Sequence, residues 1–410
     1  MLGNKKGKLI YLDHAATTPL NEEVVRAMQP YLYKKFGNAS SIYELGMQAK
    51  FDIDTARKTI ADILEARESE IVFTAGGTES VNLALFGVVR QVISSGIKKP
   101  HIIVSAIEHH AVLESAKALK DEGIELTILK VNNQGFVNPK DLAKAIKKNT
   151  VLISVIYSNN EIGTVQPINE LVKVIRKENL KRKQKILFHT DACQASGVLD
   201  LSVNKLGVDL MTLNASKIYG PKQVGLLYIR TGIKLKPLIY GGGQERGLRS
   251  GTENTAGIIG FAKALEIAER LKKSENKRLR VLRNYLIINI QKTIPDAILN
   301  GPSVEKDSEK NILRLPNNIN FSFVGVDGEA LLLYLDAQGF AVSTGSACAS
   351  TSLDPSHVLL AIGLNKYDAK ASVRITLGRS TKKSDLDALV KVSAPIIKEL
   401  RRVESINKKH

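Results

Sequence analysis

Residues 186–225 read ILFHTDACQASGVLDLSVNKLGVDLMTLNASKIYGPKQVG, and two apolar runs inside them decide the architecture. The first, ILFHT (186–190), ends at Asp191; the second, VDLMTL (208–213), is followed by Lys217 in the turn before Tyr219-Gly220-Pro221. Neither run alternates apolar with polar residues, so each reads as a strand covered on both faces. One crossover separates them, which lets Asp191 and Lys217 face the same crevice at the carboxyl ends of a parallel sheet, where such sheets bind ligands. Taken singly, Asp191 reads equally well as a helix cap and Lys217 as a surface lysine in a turn. Their shared position at two strand ends favours a site.

Working outward, similar runs recur at 71–74, 101–105, 125–130, 151–156 and 224–229, separated by amphipathic stretches. This alternation predicts an α/β domain around a mostly parallel central sheet. A long helical pattern starts near Thr252, and strands near 319–324 and 372–377 with a helix near 328–337 predict a smaller α+β domain. The expected division is a large domain over 15–258, with 1–14 and 259–410 forming the small one. Residues 301–311, GPSVEKDSEKN, read as a polar surface loop. No internal repeat or long linker is visible.

The 410 residues are 43% hydrophobic and 24% charged, the balance of a globular chain. No apolar run reaches the roughly 18 residues of a membrane helix, and the basic N-terminus lacks the apolar core of a signal peptide. Two cysteines, Cys193 and Cys348, form neither a disulfide framework nor a metal-type pair. A cytoplasmic protein without a resident metal is expected. The formal charge of +18 concentrates in Lys173–Lys185 and Arg270–Arg283. Without interleaved aromatics or any Trp, direct nucleic-acid binding is not expected. These stretches read as solvated helix faces, an acidic protein partner being the alternative.

Three segments carry chemistry. IVFTAGGTESV (71–81) runs a strand through Gly76-Gly77-Thr78 into a helix expected near Glu79. Such a helix start offers N–H groups and a dipole to an anion, with Thr78 as cap and hydroxyl donor; the plain alternative is a turn and a cap. A carboxylate at a buried strand end, Asp191, needs a partner, and the protonated pyridine nitrogen of pyridoxal phosphate is a suitable one. Lys217 then sits where a lysine forms a Schiff base. Cys348 lies in STGSACASTS (343–352), a run of small residues that reads as a mobile loop, with limits near 341–355. That setting favours a reactive thiol, although a free thiol needs activation at neutral pH. Cys193, among expected cofactor ligands, reads as volume filling beneath the ring.

FTAGGTES (73–80), IEHHAVLE (107–114), NNEIGTVQPI (159–168), HTDACQ (189–194), SKIYGPK (216–222), GGGQERGLRSGT (241–252) and STGSACAS (343–350) together resemble the cysteine desulfurase family of fold-type I pyridoxal-phosphate enzymes. The likeness runs from about Tyr11 to Arg379. It implies removal of sulfur from L-cysteine, giving L-alanine and a persulfide on Cys348 that passes to an iron–sulfur scaffold or a tRNA-thiolation relay. It also implies roles. Lys217 holds the cofactor and moves protons; Asp191 pairs with the pyridinium; Gln194 bonds the phenolic oxygen; His109 stacks on the ring and assists acid–base steps. Gly77, Thr78 and Ser216 bind the phosphate, joined by Thr252 from a second subunit, which makes a homodimer expected. Asn160 and Arg374 hold the substrate carboxylate, and Cys348 as a transient iron–sulfur ligand stays open.

Three positions depart from the family pattern. FGNASSIYELG (36–46) lacks a proline and has Tyr43 where a histidine is usual; Ser216 stands where many members have histidine; Gln223 replaces a frequent glycine. These bear on the sulfur acceptor rather than on the cofactor. Two alternatives stand beside this reading: a related lyase acting on selenocysteine, and a scaffold without catalysis. The cysteine loop speaks against the first, since such lyases need no cysteine nucleophile. The complete set of cofactor-binding residues speaks against the second.

Overall fold

The computed structural model describes residues 9–309, 311–344 and 354–407. Its strands are β1 (Ile10–Tyr11), β2 (Ile71–Thr74), β3 (His101–Ser105), β4 (Glu125–Leu129), β5 (Thr150–Ser154), β6 (Leu187–Asp191), β7 (Leu210–Asn214), β8 (Gly225–Ile229), β9 (Ala297–Leu299), β10 (Asn318–Phe323), β11 (Phe340–Ala341) and β12 (Ser372–Thr376). Seven of them form the central sheet in the order β2-β8-β7-β6-β5-β3-β4. The pairs from β4 through β7 are parallel, and β8 runs antiparallel to both β7 and β2. The mostly parallel α/β sheet expected from the sequence is present.

The continuous apolar runs hide a period of two. Phe73, Ile103, Ile153, Met211 and Leu226 join the core on one face, while Val72, Val104, Leu152, Leu210 and Leu227 join the core on the other. Helices therefore cover both faces, and strand side chains of either orientation are buried. β4, at the edge, is the exception, with Glu125 and Ile128 exposed. The β7 ladder begins two residues later than expected. The Val208 carbonyl is taken by the Arg230 side chain, at 3.1 Å from Nε and 2.6 Å from Nη2.

A second sheet, β9-β10-β12, is antiparallel, and β1 pairs with β11 in parallel. Leu12, Phe321, Leu331, Ile375 and Leu386 form its core. The helix Thr255–Thr293 carries the chain between the two cores. Phe261 and Leu265 pack into the large one, Leu286 and Ile290 into the small one. Asn254 caps it by accepting from Gly257 N–H at 3.0 Å, so Thr252 precedes the helix.

The basic stretches separate on folding. Arg270 pairs with Glu23, Arg278 with Glu275 and Arg283 with Asp307 at 3.1, 2.8 and 2.6 Å, so the second stretch is largely neutralised within the chain. The first covers the end of the helix Ile168–Asn179 and the connection back into β6. That connection enters the amino end of a strand, opposite the ends that carry Asp191 and Lys217.

Candidate active site

β6 and β7 are adjacent and parallel, with Asp191 in register with Thr212. Asp191 ends β6, and Lys217 ends a 3-10 turn directly after β7. Asp191 is 7% exposed and accepts the Cys193 N–H at 2.9 Å. Residues 193–198 form turns rather than a helix, so Asp191 is not a helix cap. Gly77, Thr78, Asp191, Gln194 and Lys217 line one cavity of about 310 Å³, together with His109, Asn160 and Arg374.

The helix Gly77–Ser94 starts two residues earlier than expected and has no side-chain cap. Gly76 is the cap residue, at φ 143°, a conformation suited to glycine. Thr78 therefore lies inside the first turn and is not the cap, a correction to the sequence reading. The uncapped end leaves main-chain N–H groups and the positive end of the dipole beside the cavity. A Cβ at position 77 would stand 3.1 Å from Cys193 Sγ, so the floor of the cavity is tightly closed there. Burial, followed by the charge of Asp191, pushes the Cys193 thiol well above its ordinary pKa. Cys193 thus packs as a buried side chain at the floor of the cavity.

Lys217 Nζ donates to the carbonyls of Ala15 and Ala16 at 3.0 and 2.6 Å, and Gln194 Nε2 donates to Ala15 O at 2.9 Å. His109 caps the helix His110–Asp121, its Nδ1 accepting from Ala111 N–H at 3.1 Å. Nε2 is then the protonated nitrogen of the neutral ring, and burial lowers the ring's pKa. The preceding Glu108 is fully buried. Its Oε1 accepts from Ser105 Oγ and Ile156 N–H at 2.5 and 2.7 Å while Oε2 has no partner among the described residues, and burial pushes it up to about 8.

Arg374 reaches the cavity from β12. Its Nη2 donates to Asp13 Oδ1 at 2.8 Å and Nη1 to Asn160 O at 3.3 Å, and Nε has no partner among the described residues. Asn160 adjoins the buried Glu161, which accepts from Ser356 Oγ at 2.5 Å and is pushed up to about 7 by burial. Ser343 exchanges both main-chain hydrogen bonds with Arg374. The chain therefore enters and leaves 345–353 beside the cavity. Cys348 itself lies outside the described residues.

Two expected phosphate ligands stand apart from this cavity. Ser216 Oγ is turned to Asn214 Oδ1 at 3.1 Å, and Ser216 does not line the cavity. Thr252 is exposed and lines a separate pocket of about 190 Å³ with Gln223 and Arg249. The sequence reading missed Asp13, the Ala15–Ala16 carbonyls and Glu108. Asp13 and the two alanines lie far from every other site motif, and the stretch YLDHAATTP (11–19) carries no spacing signal tying it to them.

The cavity fits pyridoxal phosphate. It joins a carboxylate for a protonated ring nitrogen, a lysine amine, an uncapped helix end for a phosphate and the guanidinium of Arg374. A family model, Aminotransferase class-V, matches residues 10–389. The chain belongs to the class-V aminotransferases, a family of pyridoxal-phosphate enzymes. Its relatives within that family are the cysteine desulfurases. "Cysteine desulfurase IscS" of Dictyoglomus turgidum is 50% identical over 98% of this chain and 99% of its own length. A solved "NifS-like protein" superposes with a TM-score of 0.87 at 35% identity, covering 96% of this chain and 100% of the other. A structure titled "SspA in complex with cysteine" superposes with a TM-score of 0.75, also at 35% identity, covering 90% and 98%.

Proposed function

We propose that this protein is a cysteine desulfurase that converts L-cysteine to L-alanine, leaves a persulfide on Cys348 and passes its sulfur to an acceptor protein. The observation that carries this reading is the meeting of Lys217, Asp191 and Arg374 in one cavity flanked by both ends of the Cys348 segment. The relatives named for this activity match nearly the full length of the chain.

Bound pyridoxal phosphate supplies an electron sink for the substrate's α-carbon. Asp191 would keep its ring nitrogen protonated, and the first-turn N–H groups at Gly77 and Thr78 would receive its phosphate. Gln194 would bond the ring oxygen, and neutral His109 would hold the ring in the cavity. Arg374, with Asn160, receives the substrate carboxylate through a planar fork. Lys217 Nζ takes a proton from the substrate carbon and returns one to the product. The Cys348 thiolate attacks the substrate sulfur: an S–S bond forms, the C–S bond breaks, and its electron pair ends in a new C–H bond of alanine.

A homodimer belongs to the same proposal. Thr252 lies outside its own chain's cavity, and large apolar side chains stay exposed between residues 32 and 51, among them Leu32, Phe36, Ile42 and Phe51. So do the 15–258 and 1–14/259–410 domain division, an iron–sulfur or tRNA-thiolation acceptor, and a cytoplasmic location. No described helix is long and apolar enough to cross a membrane.

The test uses purified protein supplied with pyridoxal phosphate. Wild type and Cys348→Ala both gain the cofactor's visible absorbance, while alanine formation from L-cysteine falls on the order of 100-fold or more in the variant. Wild-type turnover by Cys348→Ala would refute the nucleophile, and an undiminished Schiff-base band in Lys217→Ala would refute the lysine assignment.

A further inference from the structure

Behind Lys217 lies a second cavity of about 70 Å³, which shares Lys217 and Gln194 with the first. His14, Tyr219 and Arg379 meet there, with Glu275 and Asn276 from the long helix. Among the described residues, both ring nitrogens of His14, Oδ1 of Asn317 and Nη1 of Arg379 are buried there without a hydrogen-bond partner. His14 is 4% exposed. The Tyr11 carbonyl lies close enough to the ring to favour its charged form, against the larger effect of burial. The Tyr11 ring stands edge-on to it, with centroids 4.9 Å apart. Gly378 packs against the opposite face of the ring, where a side chain would collide with the imidazole.

An imidazole stripped of water at both nitrogens is stable only where the cavity returns polar partners. One water needs roughly 10–15 Å³ of such space and two to four polar partners, so this chamber has both the room and the groups for a short file. Burial holds His14 neutral, its pKa lowered to about 4. The ring then presents one donor and one acceptor. The charged groups facing the chamber are Arg379, Lys217 and Glu275, the last held by the Arg278 fork at 3.0 and 2.8 Å. Tyr219, also facing it, accepts the Arg379 N–H through its hydroxyl at 2.7 Å.

We propose that this chamber holds ordered water and passes protons between solvent and Lys217, with His14 as the positioning residue that orders the file. Each transfer breaks one O–H bond and forms another along the file, ending at the Lys217 amine; nothing is oxidised or reduced. The proposal rests on Lys217 as the amine that moves the substrate proton.

L-cysteine deuterated at the α-carbon is converted in ordinary water, and mass spectrometry reads the label kept in the alanine. Wild type loses most of the label to solvent during the residence of the proton on Lys217. His14→Phe, which fills the ring's place without nitrogens, keeps at least threefold more. His14→Gln, with one donor and one acceptor group, returns to within about twofold of wild type. Equal retention in His14→Phe and wild type overturns the relay, and His14→Gln behaving like His14→Phe overturns the ordering role. A high-resolution crystal structure of the cofactor-free wild type, which depends on no variant folding, shows waters bonded to the His14 ring; a dry chamber overturns the proposal. Alanine formation at the wild-type rate by Lys217→Ala would instead overturn the site reading on which it stands.

Discussion

Arg374 and Asp13 are joined at 2.8 Å across a separation of 361 positions in the chain. The pair ties the first residues after β1 to the central part of β12, and it fixes one arm of the guanidinium while Nε has no partner among the described residues. Asp13→Ala removes the acceptor that orients the fork. KM for L-cysteine rises about tenfold, near 1.4 kcal/mol, with kcat changed much less. Asp13→Asn retains an oxygen acceptor and gives a smaller rise. Steady-state kinetics decide, and an unchanged KM in Asp13→Ala would remove Asp13 from substrate positioning.

Glu108 gives the protein a pH dependence of known sign. Burial raises its pKa in the folded state to about 8 from an ordinary 4.5, so the folded protein holds this proton more tightly than the unfolded chain. The stabilisation is complete below about pH 4.5 and is lost as pH rises toward 8. Glu108→Gln imitates the protonated form and keeps an oxygen for the Ser105 and Ile156 donors. Its stability relative to wild type therefore increases between pH 5 and pH 9, by up to roughly a few kcal/mol. Urea midpoints at the two pH values test this, and a constant difference would contradict it.

The central sheet was legible because its strands are covered on both faces, so their apolar runs are unbroken whatever their orientation. Asp191 and Lys217 were legible for a related reason: the strand ends of a parallel sheet lie together once the crossover is recognised. What the sequence concealed is contact between segments far apart in the chain. Nothing near Ala15 and Ala16 marks their carbonyls as partners of Lys217, and backbone acceptors have no sequence signature. The cap at the helix Gly77–Ser94 was misread because Thr78 has a capping side chain, whereas Gly76 takes the positive φ that shapes the turn.

Arg57 and Glu245 show the same kind of hidden contact in the large core. Arg57 donates through Nη1 and Nη2 to both oxygens of Glu245, at 2.9 and 2.7 Å, and Glu245 also accepts the Phe73 N–H at 2.8 Å. The side chains are 8% and 2% exposed. Removing one partner leaves a buried charge uncompensated, so Glu245→Ala lowers stability by roughly 3–5 kcal/mol. The loss is concentrated near β2 and the 239–254 segment. Hydrogen exchange that speeds up at Phe73 before the β5–β6 amides would locate it there; uniform exchange would not.

Gln223 sits at φ 59°, in the left-handed region, on an exposed turn just before β8. A side chain there brings its Cβ against the backbone, a penalty of roughly 1–2 kcal/mol that glycine escapes. Glycine loses part of this advantage through the extra freedom it gives the unfolded chain, about 0.4–1 kcal/mol. The balance favours Gln223→Gly by up to about 1 kcal/mol. Gln223 does not line the cavity of Lys217, so the substitution leaves every residue lining its own chain's cavity in place. Chemical denaturation and visible absorbance of the variant measure the two halves separately. A variant less stable than wild type would mean that the Gln223 side chain makes a stabilising contact worth more than the backbone strain.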